Sequence, residues 1–394
     1  MDWNFLYRNA LQYAKQAIAK NAVFAYNTNI DLVKHLTEKP PQKILGILHE
    51  CVRAGKQREV QTDKRTIQVL VRQIGYDEMR MGGQAGNMGN AASALGVHSY
   101  VHVLLKNRQQ MKLFENPSNV FVAHNGFKTA DRVSVDSDAP IHLVLEFKKG
   151  YKVGRFAAPS PNRLILSWNP PNSVLKIDEE FAECIKGMLP KVNHAFISGF
   201  HNLTLKDRFT QRIENVANQI EEWKRINGKL RIHVELGNFQ SLRILREVAS
   251  EVLPLSDSVG FDEYELSQLK QTLQVEGSLW KACDTLCSMF TSVVFHSPAF
   301  SFSLDASQSR QEALLFGSLL AGYKAAAGKN ASFAELEEFM HQIKVNEVGV
   351  RKYDEFKKIN FKNSASFAPA LHIPEPKITV GLGDCFATGY FLLK

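Results

Sequence analysis

What this chain of 394 residues lacks narrows its class before any motif does. No stretch approaches eighteen consecutive apolar residues, which excludes a helix that spans a bilayer. Met1-Asp-Trp-Asn-Phe5 has no basic region followed by an apolar run. It does not read as a secretion signal, and the expected location is the cytoplasm. Without such a signal the glycosylation sequons at Asn202 and Asn330 carry no weight. Cysteine is scarce, five residues in all, and lacks metal-ligand spacing. Cys283 and Cys287 stand one helical turn apart and read as core or half-buried thiols. There is no Arg-rich tail, zinc-finger spacing or RNP-type motif, so nothing but net charge points to nucleic acid. That charge is +8, spread along the chain, and an anionic small substrate explains it as well. Internal repeats and low-complexity tracts are absent. Lys39-Pro40-Pro41 reads as a short turn and not a linker.

Against those absences stands a hydrophobic content of 44%, ample for a sizeable core. The length predicts two or three domain-sized units, or one large α/β domain with an insertion. The second half alternates strands and helices: strands at Phe196–Gly199, Leu230–Leu236, Ser258–Phe261 and Ser292–His296, and helices near 209–228, 240–250, 263–273 and 312–327. Such spacing means βαβ units and a parallel sheet, which binds ligands beyond the carboxyl ends of its strands. Glu235, Asp262, Glu265, His296 and Asp384 fall at or just past such ends; His296 reads as a strand-end hydrogen-bonding residue and is left out of the site. The first half is more mixed. Ala22–Tyr26 and Val101–Leu105 read as strands, and Arg80–Asn90 as a glycine-rich loop running into a helix at Ala91–Leu95. His142–Phe147 and Arg163–Ser167 are strands with no room for a long helix between them. A small antiparallel piece such as a lid follows from that.

The most telling stretch is Ile378-Thr-Val-Gly-Leu-Gly-Asp384. Its β-branched triplet reads as a buried strand. Gly381 and Gly383 open a tight turn, and Asp384 falls in the first turn of the closing helix. Glycines let the backbone approach a ligand, and the free N–H groups of a helix start attract an anion. A carboxylate there would repel a phosphate, unless it serves the hydroxyl that attacks that phosphate. The unit therefore points to phosphoryl transfer with Asp384 as base; the alternative is an ordinary turn capped by Asp384.

Taken in order, several segments resemble the ADP-dependent glucokinase and phosphofructokinase family of the ribokinase-like superfamily. Asn27-Thr-Asn-Ile-Asp31 and Arg80-Met-Gly-Gly-Gln-Ala-Gly86 are similar to its sugar-binding segment and glycine-rich sugar loop. His142–Gly150 and Asn162–Ser167 resemble lid segments, and Ile197–Phe200 and His233–Leu236 central strands. Val259–Leu266 resembles the Asn-x-x-Glu magnesium motif, with Asp262 in place of Asn and Glu265 kept. Val380–Asp384 resembles the catalytic turn, followed here by Cys385. His296-Ser-Pro-Ala-Phe300 matches the nucleotide-side segment loosely, and the chain is rather short for the family.

The resemblance implies an α/β, ribokinase-like fold: a central mostly parallel sheet flanked by helices, with a small β-rich lid. The expected division is 1–32, 76–136 and 176–394 for the large domain, and 33–75 and 137–175 for the lid. It implies an ADP-dependent sugar kinase of glycolysis, binding ADP and a sugar or sugar phosphate, with no nucleic acid and no membrane. Asp384 is the implied base, with Gly381 and Gly383 beside the phosphoryl group. Asn29, Asp31, Gly82, Gly83, Gln84 and Arg163 are the implied sugar-binding residues, and Glu235, Glu265 and Asp384 those that hold Mg²⁺. Lys148, Lys149 and Arg163 lie where cations for a substrate phosphate could sit, which favours fructose 6-phosphate over glucose. Glucose remains the alternative acceptor. A sugar- or nucleotide-binding protein without turnover is the alternative from another class.

Overall fold

Short β-branched and aromatic runs between amphipathic helices build a large sheet whose order follows from that alternation. The computed structural model describes residues 1–38, 40–55, 57–206 and 208–394, so Lys39 of the expected turn lies outside the described residues. Among these the larger sheet has ten strands. In spatial order they are Ser364–Pro369, Phe300–Asp305, Ser292–His296, Ser258–Phe261, Arg231–Glu235, His194–Ile197, Asn21–Ala25, His98–Val101, Val120–Ala123 and Phe127–Thr129. The run from Ser292–His296 to Val120–Ala123 is parallel. The outer strands are antiparallel. Phe24, Phe196, Phe261, Phe295 and Phe302 on these strands are wholly buried. Each such ring stabilises the fold by about 1.5–3 kcal/mol.

A second sheet has five strands, in the order Arg58–Gln61, Asn162–Trp168, Ile141–Phe147, Asn29–His35 and Glu78–Gly82. The helices Gln42–Ala54 and Lys64–Ile74 cover one face and give it a core of its own around Leu48, Leu70, Leu143, Leu145 and Leu164. This is the expected β-rich piece, with two boundaries moved. Asn29–Asp31 and Glu78–Gly82 pair within the smaller sheet, not the larger one.

The chain passes between the sheets in very few residues. Ala25 ends a strand of the large sheet and Asn29 begins one of the small sheet. Gly82 ends a small-sheet strand, and the helix Gln84–Ala94 packs back on the large sheet. Gly83 makes that return at φ 76°, where a Cβ would stand 2.5 Å from the Asn27 carbonyl oxygen. The other two passages come to the same place. Ile30 N–H donates to the Pro140 carbonyl at 2.8 Å, and the Asn172 side chain donates to the Thr28 carbonyl at 3.2 Å.

Three sequence readings need correction. Arg80–Asn90 is not a loop but a strand end and a helix; Gly89 serves close packing, since a Cβ there would lie 2.5 Å from Val101. The strand read at Val101–Leu105 is His98–Val101. Ile378–Val380 forms no strand. Ile373-Pro-Glu-Pro376 precedes it, and Lys377 N–H bonds the Ala325 carbonyl of a helix instead of a sheet neighbour. Its β-branching reports burial, with Ile378 only 4% exposed. The sheet ends instead in the antiparallel pair Phe300–Asp305 and Ser364–Pro369.

Candidate active site

The carboxyl ends of the parallel strands and the inner face of the smaller sheet enclose a cleft of about 630 Å³. Asp31, Gly83, Gln84, Arg163, Glu235, Glu265, Gly381, Gly383 and Asp384 of the expected site line it together. Asn29 and Gly82 stand behind that lining. Asn29 is wholly buried and donates to Asp31, and a Cβ on Gly82 would meet both side chains within 2.3 Å. Gly82 thus gives the Asn29–Asp31 pair its room.

Asp384 lies in the first turn of the helix Leu382–Leu392, after Gly381 in the left-handed region at φ 69°. The N–H groups of Leu382, Gly383 and Asp384 have no partner within that helix, and all three residues line the cleft. The Asn87 side chain donates to Asp384 at 2.9 Å. Burial pushes the Asp384 carboxyl up to about 6, opposed by the Asn87 hydrogen bond and by the buried Lys324. A group near that value suits a general base at neutral pH.

Glu235 ends its strand with only 3% exposure, and two imidazoles hold it. His233 Nε2 and His296 Nε2 each lie 2.9 Å from one of its oxygens. Burial would raise this carboxyl, yet His296 and His233 outweigh it and keep it below the ordinary range. Burial would lower His296, and Glu235 outweighs that to raise it. His296, set aside as a strand-end residue, therefore belongs to the site: it lines the cleft, and a Cβ on Gly383 would touch its ring at 3.0 Å.

Asp262 and Glu265 form a capping box at the helix Glu263–Leu273, each carboxylate accepting a backbone N–H of the other. Burial first, then Asp262, Glu235 and Asp384, raise the Glu265 carboxyl well above its ordinary value. Four acids thus crowd one part of the cleft. No cluster of three or more His, Cys, Asp or Glu among the described residues could hold a bare metal ion.

At the other end Asp31 is raised by burial, against His142 at 3.6 Å and the Asn29 hydrogen bond. Glu59 and His201 line the same end. Gln84 spends its amide on backbone, donating to Leu236 and accepting from Gly199 N–H. Arg163 is the only lysine or arginine among the described lining residues. Its Nη1 donates to the Thr379 carbonyl at 3.0 Å, while its Nε is buried without a partner. Lys148 and Lys149 are exposed and do not reach the cleft.

Sequence reasoning missed Asn87, His201, Lys324 and Thr379, whose roles arise from contacts across the fold. It also missed an apolar part of the cleft lining at Ala321, Ala325, Leu371 and Ile373, which Asn346 and His372 line as well. The one signal for that part was the small-residue run Ala321-Gly322 in a helix.

Residues 35–393 match the model of the ADP-specific phosphofructokinase/glucokinase conserved region. The chain is 29% identical to an ADP-dependent glucose/glucosamine kinase of Pyrococcus furiosus, over 99% of this chain and 98% of that one. It is 26% identical to an ADP-specific phosphofructokinase of Methanosarcina acetivorans, over 99% and 96%. The fold superposes with a TM-score of 0.88 on an ADP-dependent kinase solved in complex with fructose-6-phosphate and ADPβS, at 23% identity, covering 100% of this chain and 97% of that one.

Proposed function

The chain belongs to the ADP-specific phosphofructokinase/glucokinase family, and from that premise we propose that it transfers the β-phosphoryl group of ADP to a hydroxyl of fructose 6-phosphate and releases AMP. The observation that carries the reading is Asp384: a carboxyl raised to about 6, at a helix start behind a glycine turn, facing a cleft.

In that reading Asp384 takes the proton of the sugar hydroxyl as its oxygen bonds to the β-phosphorus. The bond from that phosphorus to the oxygen bridging the two phosphates breaks, and that oxygen leaves on AMP. The N–H groups from Leu382 to Asp384, with the helix dipole behind them, hold the phosphoryl oxygens. Asp31 and its partner Asn29 fix the sugar hydroxyls. The apolar lining at Leu371 and Ile373 takes the adenine, and Arg163 the phosphate of the sugar. The work belongs to the cytoplasm and to sugar breakdown.

Mg²⁺ fits this site in one form. Both Glu235 oxygens are occupied by imidazoles and Glu265 is tied into a cap, so these residues suit an ion that keeps its water and arrives with the diphosphate. When bound, it supplies charge neutralisation of the phosphates. Glu265→Gln is expected to raise the Mg²⁺ concentration for half-maximal rate by about ten-fold or more. Glutamine still accepts the Asp262 N–H. A carboxyl raised by folding favours the fold at low pH and loses that contribution as pH rises, so the variant's melting temperature at pH 7 should equal or exceed the wild type's. An unchanged Mg²⁺ titration counts against the assignment.

Glucose as acceptor is a second reading, favoured by one observation: a single guanidinium, beside Asp31 and Glu59, is a sparse setting for a substrate phosphate. AMP release from ADP and Mg²⁺ against a panel of free and phosphorylated sugars tests both. Arg163→Ala should raise KM for fructose 6-phosphate about ten- to a hundred-fold, the cost of one charge-assisted hydrogen bond, and leave KM for glucose nearly unchanged. Equal KM changes for both sugars would take Arg163 away from the phosphate.

A further inference from the structure

The four passages of chain between the sheets gather at one edge of the smaller sheet, beside Thr28, Gly83, Pro140 and Asn172. The strands of that sheet run away from this edge, and their far ends carry a row of charged and polar groups. Arg163 pairs across from Glu146, and Glu146 across from His35. His35 Nδ1 lies 3.3 Å from Glu146, and its Nε2 lies 3.1 Å from Glu78. This row meets the large sheet's half of the molecule at Thr379. The Thr379 carbonyl accepts from Arg163, and its hydroxyl donates to Glu146 at 3.0 Å. Glu146 is only 8% exposed, so that bond is formed largely out of water.

Thr379 sits two residues before Gly381. Lys377 N–H is fixed to the Ala325 carbonyl on one side, and the helix Leu382–Leu392 begins on the other. Between those anchors, Thr379 is where the link into the catalytic turn is tied to the opposite sheet. We propose that Thr379 is a positioning residue: held by Arg163 and Glu146, it places the Gly381–Asp384 turn for phosphoryl transfer only when the smaller sheet lies over the cleft. The inference rests on the kinase reading for its rate consequence, and on the contacts alone for its structural one.

Neutral substitutions at both ends of the hydroxyl bond test it. Thr379→Val and Glu146→Leu should each lower kcat about ten-fold, the size of one hydrogen bond to a charged acceptor, with ADP and sugar affinities by calorimetry within about two-fold of wild type. Thr379→Ser restores the hydroxyl and should restore kcat. The double variant Thr379→Val/Glu146→Leu should be no worse than either single one, because both remove the same bond. In the absence of any ligand, amide hydrogen exchange at 378–384 should be faster in Thr379→Val and Glu146→Leu than in wild type or Thr379→Ser. Losses that multiply in the double variant, a serine variant as slow as the valine one, or unchanged exchange at 378–384 would each overturn the proposal. A wild type that releases no AMP with any sugar would instead sink the kinase reading, and the exchange experiment still decides the latch.

Discussion

Asp384→Asn is expected to lower kcat at least about a hundred-fold while sugar affinity stays within a few-fold, since general-base catalysis is worth that much and the amide keeps the shape. The wild-type rate should fall as pH drops through about 6, where the base gains its proton. Stability should run the other way. The Asp384 carboxyl is raised from 3.8 by burial, so its protonated form favours the fold. That contribution is complete below pH 3.8 and is lost as pH rises through about 6. At pH 7 the asparagine variant should therefore melt at or above the wild-type temperature. A variant keeping more than about a tenth of the rate ends the assignment of Asp384 as base; one that melts well below wild type shows the residue to be structural instead.

Glu235→Ala should cost both stability and activity. Two imidazoles, His233 wholly buried and His296 partly buried, lose their shared acceptor. Removing one partner of a buried charged pair typically costs about 3–5 kcal/mol. The pH dependence distinguishes this from a simple cavity. Glu235, held below 4.5, adds stability that is present above that pH and fades as pH falls through its folded value. His296, held above 6.5, adds stability that is present below that pH and fades as pH rises through its folded value. The wild type should thus gain most over the variant between pH 4.5 and 6.5. A difference in melting temperature that is flat with pH would show that lost packing, and not the ion pair, is the cause.

How far the sequence led depended on where each signal comes from. The parallel strands of the second half were legible because each is a short apolar run among helices, whereas His98–Val101 was read three residues late and Val120–Ala123 not at all. Phe300–Asp305 alternates as a strand does, yet Pro298 in the short turn before it hid its hairpin with Ser292–His296, and its other partner lies about sixty residues away. Ile378–Val380 went wrong because β-branching is favoured wherever a chain is buried and extended, paired or not. The place of Asp384 in the first turn of the closing helix was legible through turn chemistry. Asn87 was not, since its bond to Asp384 spans 297 positions. Lys148 and Lys149 looked equal to Arg163 as charges, and only the fold separates two exposed lysines from a guanidinium facing the cleft.

The gathering of all four chain passages at one edge has a mechanical consequence. Four covalent threads at one margin forbid the sheets to slide apart and leave rotation as the cheap motion, with that margin as axis. From Trp168 beside the axis to Arg163 the strand climbs at about 3.3 Å per residue, a lever of roughly 16 Å. On such an arm a swing of about 10° carries the far end close to 3 Å, enough to break a hydrogen bond. The contact at Thr379 therefore responds to small angles of the smaller sheet.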